Sequence, residues 1–253
     1  MIELKRPDEI AKLREANRIV AQTLDFLEGE IQVGMSLKEI SDLAEEFILS
    51  KEAKPAFKGL YGFEGAICTS LNAVCIHGIP DETKIKEGDI LGLDIGTIKD
   101  GYYGDAARTI PIGRISDQDK ALIACAKDAL DYGVDLIREG MRFKELSFRL
   151  GEFIANRGFV PLLHYCGHGI GRKPHSEPEI PNYLEPGQGI KDGPKIKNGM
   201  VFCVEPMICQ KDGKPVHINS DRWNAASADG LNTAHYEHCL AVVGGRAEIL
   251  SRI

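Results

Sequence analysis

Residues 84–94 read KIKEGDILGLD, and residues 195–205 read KIKNGMVFCVE, the same pattern 111 positions later. Each copy is a lysine-rich turn followed by an apolar run that ends on an acid, Asp94 in the first and Glu205 in the second. A second pair keeps the same order: GMSLKEIS at 34–41 returns as GMRFKELS at 140–147, an offset of 106. Its register holds downstream, where Glu46-Phe47-Ile48 reappears as Glu152-Phe153-Ile154. Two ordered matches at similar offsets read as one duplicated half, about 34–110 and 140–243, inside a single domain spanning 1–253.

Around these segments the periodicity predicts helices and strands in mixture. A first helix lies within residues 1–29, with Ile10, Leu13, Val20, Leu24 and Leu27 on one face, Pro7 at its start and Gly29 at its stop. The capping pattern Ser36-Leu-Lys-Glu39 opens a second helix that runs to about Ser50. Ser116 opens a third, striped by Ile123, Ala126, Leu130, Val134 and Ile137 and closed by Gly140; a fourth covers about Phe143–Asn156 before Gly158. Strands are expected at Gly65–Ser70, Ile90–Ile95, Tyr102–Ile110, Met200–Ile208 and Tyr236–Val243. No Ser/Gly-rich or Pro-rich linker marks an internal boundary.

Composition narrows the function. The 253 residues carry 31 Lys plus Arg against 38 Asp plus Glu, a net charge of −7, which argues against a nucleic-acid-binding body. No apolar run reaches membrane-helix length, and MIELKRPDEI lacks the apolar core of a secretory signal. The seven cysteines (68, 75, 125, 166, 203, 209, 239) contain no CxxC pair, which excludes a zinc ribbon and suits a reducing cytoplasm.

The duplication also aligns chemistry. Asp94 and Glu205 each end an apolar strand, and each half supplies another acid further on, Asp105 in YGDAARTI and Glu237 in YEHCLAVV. Burying four carboxylates is costly unless they are paired or metal-bound. Histidine joins them in CGHGIGRKPHSEP, with His168 and His175, and in CIHGIP, with His77. Four carboxylates and one imidazole suit divalent Mn, Fe, Co or Zn. Bridging acids let such a set hold two ions about 3.5–4 Å apart.

The order His77, Asp94, Asp105, His168, His175, Glu205, Glu237, in the motifs HGIP, LDIG, GDAARTI, GHGIGRKPHSEP, VEPM and YEH, resembles the type I bacterial methionine aminopeptidases nearly end to end. The resemblance implies the pita-bread fold, two pseudo-symmetric halves around a curved antiparallel sheet with helices outside, which agrees with the repeat. It also implies removal of the initiator methionine from nascent proteins whose second residue is small and uncharged. The absence of a zinc-finger extension and of a late helical insertion points to type I. By resemblance, Asp94 chelates one ion, Asp105 and Glu237 bridge two, and His168 and Glu205 complete the second ion's shell. Glu205 is the expected acceptor of the water proton, while His77 and His175 line the cleft and contact the scissile amide. Phe57, Leu60, Phe63, Cys68 and Trp223 form the expected methionine pocket. A weaker implication is a sodium or potassium ion on backbone oxygens near Asn72, Val74 and Thr233.

Four positions depart from the family. Leu60 and Pro174 stand where aromatic residues can occur, and Gly96 and Ala106 where Thr or Ser hydroxyls are frequent. The last two are expected to alter the hydrogen bonding around Asp94 and Asp105 and with it the affinity for the second ion. The enzymatic rival, an X-Pro peptidase of the same fold, usually carries an extra N-terminal domain, and 76 residues precede His77 here. A non-catalytic binding protein of this fold would have lost ligands. A monomer working near the ribosome, without nucleic-acid specificity or membrane attachment, completes the expectation.

Overall fold

The computed structural model describes residues 2–217 and 223–253. Helix α1 spans Pro7–Glu30, and its start is fixed by Pro7 and by the Arg6 N–H donating to the Glu9 carboxylate at 3.1 Å. The expected stripe from Ile10 to Leu27 is buried. The helix runs through Gly29 and ends where Ile31 turns extended. In α2 (Leu37–Ser50) the capping box forms as read: the Glu39 N–H donates to Ser36 Oγ, and the Ser36 N–H to the Glu39 carboxylate.

These helices cover a sheet whose core is the hairpin of β3 (Ile90–Lys99) and β4 (Tyr102–Pro111), with β1 (Cys68–Leu71) on the other side of β3. All these pairings are antiparallel. The short strand β2 (Val74–Ile76) follows β1 and leads to His77. Apolar residues of α1, α2, β3 and β4, including Val20, Leu24, Ile40, Leu91, Leu93 and Ile110, form one core beneath the helices.

The second half repeats the plan. Helices α3 (Asp117–Leu136) and α4 (Phe143–Ala155) back a five-stranded antiparallel sheet. It runs β12 (Arg246–Ile249), β11 (His238–Val243), β7 (Val201–Val204), β5 (Cys166–Gly169), β6 (Ser176–Pro181). Helix α3 stops short of Gly140, because Ile137 turns extended and Arg138 bridges to Arg246 of β12. The expected strand Met200–Ile208 is two strands: β7 ends at Val204 and β8 spans Met207–Cys209. Pro206 has no N–H for a ladder, so the break falls at Glu205-Pro206.

The repeat is visible bond by bond. In the first half Ser36 bridges Lys84; in the second Arg142 bridges Lys195. The Leu37 N–H donates to Thr83 O and the Gly34 N–H to Ile85 O; Phe143 and Gly140 donate to Pro194 O and Ile196 O. Gly34 and Gly140 both adopt positive φ, +96° and +90°. Each half latches the start of its second helix to the segment leading into its central strand by the same contacts, so these sequence matches are structural ones.

The halves meet where β4 passes β10 (Thr233–His235) and the residues after it. The Glu237 N–H donates to Ala107 O at 2.9 Å, and Thr109 Oγ1 both donates to His235 O and accepts the His235 N–H. Strand β9 (Ala225–Ser227) pairs with β2 beside this seam. No helix among the described residues is long and apolar enough to cross a membrane.

Candidate metal centre

The seam places acids from both halves in one cavity of about 540 Å³. Asp94 comes from β3 and Asp105 from β4, where the hairpin register sets Asp105 opposite Gly96 and Asp94 opposite Ala107. Glu205 follows β7, and Glu237 lies between β10 and β11. The α1 side chain of Asn17 accepts the Asp105 N–H at 3.1 Å, and Asn182 donates to the Glu205 carbonyl at 2.9 Å. The backbones that carry two of the acids are thereby pinned.

His168 enters from β5, the glycine-rich stretch. A Cβ at Gly167 would lie 2.3 Å from Cys203 O, and one at Gly169 would lie 2.1 Å from Glu177 O. The glycines let β5 squeeze between β6 and β7, which brings His168 Nε2 to 3.5 Å from Glu205 Oε1 and 3.9 Å from Asp105 Oδ2. Its Nδ1 faces the Gly169 carbonyl at 3.2 Å. A carbonyl only accepts, so Nδ1 carries the proton and Nε2 turns a lone pair toward the acids.

Burial dominates the electrostatics. It raises the Asp94 carboxyl to about 7. Burial together with the Glu237 and Asp94 charges pushes Asp105 well above the usual carboxylate range. Glu205 is raised by burial and then by Asp105, Glu237 by burial and then by Glu205. The imidazoles move the other way: burial takes His168 down to about 3 and His77 to about 4, with His175 adding to both. Among the described residues that line this cavity there is no Lys or Arg to balance the acids.

The polar atoms themselves argue for a cation. Asp94 Oδ1, Asp105 Oδ1, Glu205 Oε1 and Glu237 Oε1 are buried without a hydrogen-bond partner. Ligand atoms of Asp105, His168, Cys203 and Glu237 lie within 4.8 Å of one another, as do those of Glu205, His235 and Glu237. Oxygen-rich donors with an imidazole suit a borderline divalent ion. The residues present therefore fit a metal. Asp94 lines the same cavity outside those two tightest groups.

The residues read as divalent-metal ligands, catalytic or pocket-forming line this one cavity: Asp94, Asp105, His168, Glu205 and Glu237, with His77, His175, Phe57, Leu60, Phe63, Cys68 and Trp223. His175 packs edge-on to His168, ring centroids 4.4 Å apart, and His77 lies edge-on to Trp223 and Tyr165. His77 holds φ +58°, a costly conformation for a side chain of its size. Phe57, Phe63 and Cys68 pack together, with Leu60 and Trp223 against them.

The departures have structural answers. Ala106 points to the face opposite Asp105, into the core with Val20 and Leu24, so a hydroxyl there would face α1 and not the Asp105 carboxylate. Gly96 is filled from outside: a Cβ there would sit 2.5 Å from Phe57 Cε1 and 2.9 Å from Ala56 Cβ. Leu60 lines the cavity, and Pro174 is not among its lining residues. Near the expected alkali site, Asn72 adopts φ +54° and its carbonyl accepts both the N–H and the hydroxyl of Thr233, at 2.9 and 3.0 Å. Val74 lies next to them on β2.

Two residues escaped the sequence reading. Cys203 and His235 both turn ligand atoms toward the acids. His235 ends β10, and its Nε2 lies 3.9 Å from Oε2 of Glu237 in the connection that follows.

Residues 11–243 match metallopeptidase family M24. The chain belongs to that family, among its methionine aminopeptidases. A methionine aminopeptidase of Helicobacter pylori is 57% identical over 250 residues, covering 99% of this chain and 98% of the relative. The crystal structure of a methionine aminopeptidase from Thermotoga maritima superposes with a TM-score of 0.95 at 35% identity, each chain covered in full. A prolidase from Pyrococcus furiosus shares the fold at 23% identity and a TM-score of 0.79, but this chain spans 65% of it. The two halves and the acids at their seam are thus the pita-bread architecture of a metal-dependent M24 aminopeptidase.

Proposed function

We propose that this M24 enzyme removes the N-terminal methionine from nascent polypeptides whose second residue is small and uncharged, using two divalent ions held by Asp94, Asp105, His168, Glu205 and Glu237. The observation that carries the reading is the continuity of one cavity, in which the acids at its floor adjoin an apolar wall of Phe57, Leu60, Phe63, Cys68 and Trp223. Methionine is flexible and polarizable, and its sulfur packs well beside aromatic rings.

Bound divalent ions supply a hydroxide-like nucleophile near pH 7 and polarise the scissile carbonyl. The chain's own residues do the rest. Asp94, Asp105 and Glu237 would hold the ions with their carboxylates, together with His168 and Glu205. Glu205 accepts the proton of the attacking water on a carboxylate oxygen. His77 and His175, which line the same cavity, hydrogen-bond the scissile amide, steady the charge that develops on its oxygen and pass a proton to the leaving nitrogen. The aromatic wall excludes water and aligns the methionine side chain.

Cobalt, manganese, iron and zinc all suit this donor set. The backbone oxygens of Asn72, Val74 and Thr233 would hold a sodium or potassium ion, which would brace the segment where Asn72 and Thr233 meet. The enzyme acts as a cytoplasmic monomer on chains emerging from the ribosome, with no nucleic-acid specificity and no membrane attachment. The deciding experiment is hydrolysis of Met-Ala-Ser, Leu-Ala-Ser and Ala-Pro peptides with each metal in turn. Strong preference for Met-Ala-Ser is expected; preference for Ala-Pro would replace this reading with a proline-directed one.

A further inference from the structure

Glu205 divides its carboxylate between two imidazoles. Oε1 faces His168 Nε2 at 3.5 Å, and Oε2 faces His235 Nε2 at 3.8 Å. Glu237 turns its Oε2 to the same His235 nitrogen, at 3.9 Å. His235 is 3% exposed, and its Nε2 has no hydrogen-bond partner. Its backbone is locked on both sides by Thr109, so the ring is presented from a fixed point. Carboxylate oxygens only accept, so the tautomer that suits these neighbours carries its proton on Nε2. His168 is arranged the opposite way, with Nδ1 toward a carbonyl and Nε2 toward the acids. One imidazole is built as a ligand and the other as a donor.

We propose that His235 is a positioning residue of the metal centre, donating its Nε2–H to the Oε2 atoms of Glu205 and Glu237 and holding both acids in their metal-facing orientation. The gaps of 3.8 and 3.9 Å close by rotation about the last carboxylate torsions, which are soft. A donor behind a ligating carboxylate removes its freedom to swing away, and losing such a donor typically weakens metal affinity 10–100-fold. The assignment rests on the reading of this cavity as a metal site.

The test separates the two ring nitrogens. Gln places its amide nitrogen at the reach of Nε2, whereas Asn places it at the reach of Nδ1. Mn(II) affinity is measured by equilibrium dialysis for wild type, His235→Gln and His235→Asn, with thermal unfolding of the metal-free forms confirming the fold. Wild-type affinity within about threefold for Gln, and a loss of about 10–100-fold for Asn, is the expected result. In parallel, long-range ¹H–¹⁵N spectra of the histidine-labelled, Zn(II)-loaded wild type should show His235 as the Nε2–H tautomer. This second measurement decides the matter even if His235→Asn fails to fold. Undiminished affinity in a folded His235→Asn, or a His235 whose Nε2 is metal-bound, overturns the proposal. Absence of any Mn(II) binding by the wild type would instead remove the metal reading on which it rests.

Discussion

Cys68 stands directly across the β1–β3 ladder from Asp94. Antiparallel partners share a face with their Cβ atoms about 5 Å apart, so the proposed pocket wall and a proposed metal ligand are immediate neighbours. Burial, with Asp94 adding to it, pushes the Cys68 thiol well above its ordinary range. Cys68 packs with Phe57 and Phe63 as a small buried surface of the cavity wall. Cys68→Leu should crowd the methionine side chain and raise KM for Met-Ala-Ser at least 10-fold, an expected cost of about 1–3 kcal/mol for overpacking. Metal content, measured alongside, should stay at the wild-type value; loss of metal would show that position 68 acts on Asp94 and not on the substrate.

The bridging role proposed for Asp105 makes a sharper prediction. Asp105→Asn should lose at least one ion per chain and reduce turnover by orders of magnitude, because a neutral amide cannot bridge two dications. Elemental analysis and peptide hydrolysis check both halves of that statement. Wild-type metal content with wild-type turnover would defeat the two-ion arrangement.

His77 and His175 should behave differently. His77→Ala and His175→Ala are expected to keep the wild-type metal content while slowing turnover by about 10²–10⁴, the range for a lost acid–base or charge-stabilising group. A missing ion in either variant would make that histidine a ligand.

The buried acids make the metal-free protein sensitive to alkali. Carboxyls held above their unfolded values, Asp94 at about 7 and Asp105, Glu205 and Glu237 also raised, stabilise the fold at low pH and lose that contribution as pH rises through their folded values. His77, His168 and His235, held down at about 4, 3 and 3, act in the opposite sense, losing stability as pH falls below about 6.5. The two groups offset one another in mildly acidic solution, and above about pH 6.5 only the acids still titrate. The Tm of the chelator-treated protein should fall between about pH 6.5 and 8.5, and the increase in Tm on adding Mn(II) should grow over that range, since ligands bind deprotonated. A metal-free Tm that climbs with pH would contradict this account.

The sequence was most legible where local chemistry and long-range repetition agreed. The capping box at Ser36 and Glu39 formed as read, and the duplicated KIK segments occupy matching places in the two halves. The order of acids and histidines placed the pocket and the centre in one cavity because each lies on or beside a strand at the seam. What was not legible depended on contacts from outside the local pattern. Residues 200–208 alternate and run apolar like one strand, but Pro206 divides them. Residues 137–140 continue the helical stripe, but Arg138 pairs with the last strand. His235 belongs to no motif, and only the pairing of β8 with β10, which sets Met207 opposite His235, brings it to Glu205. Ala106 looked relevant because it adjoins Asp105, when alternation sends it to the far face.

Gly96→Thr should lower stability by about 1–3 kcal/mol, since the added Cβ would sit 2.5 Å from Phe57 Cε1 and 2.9 Å from Ala56 Cβ and must displace them. Denaturant titration of G96T against the double variant G96T/F57L should show most of that loss recovered. An undisturbed single variant would mean that the ring shifts freely.

That steric conflict also constrains the order in which this sequence can change. Because Phe57 occupies the space a side chain at position 96 would need, a hydroxyl there is best accommodated once the large ring has been given up. A chain with a smaller residue at 57 has a wider cavity at this wall, so its substrate range should shift before its metal surroundings do. Glycine at 96 and the bulky ring at 57 thus share one volume, and a change at either is felt at the other.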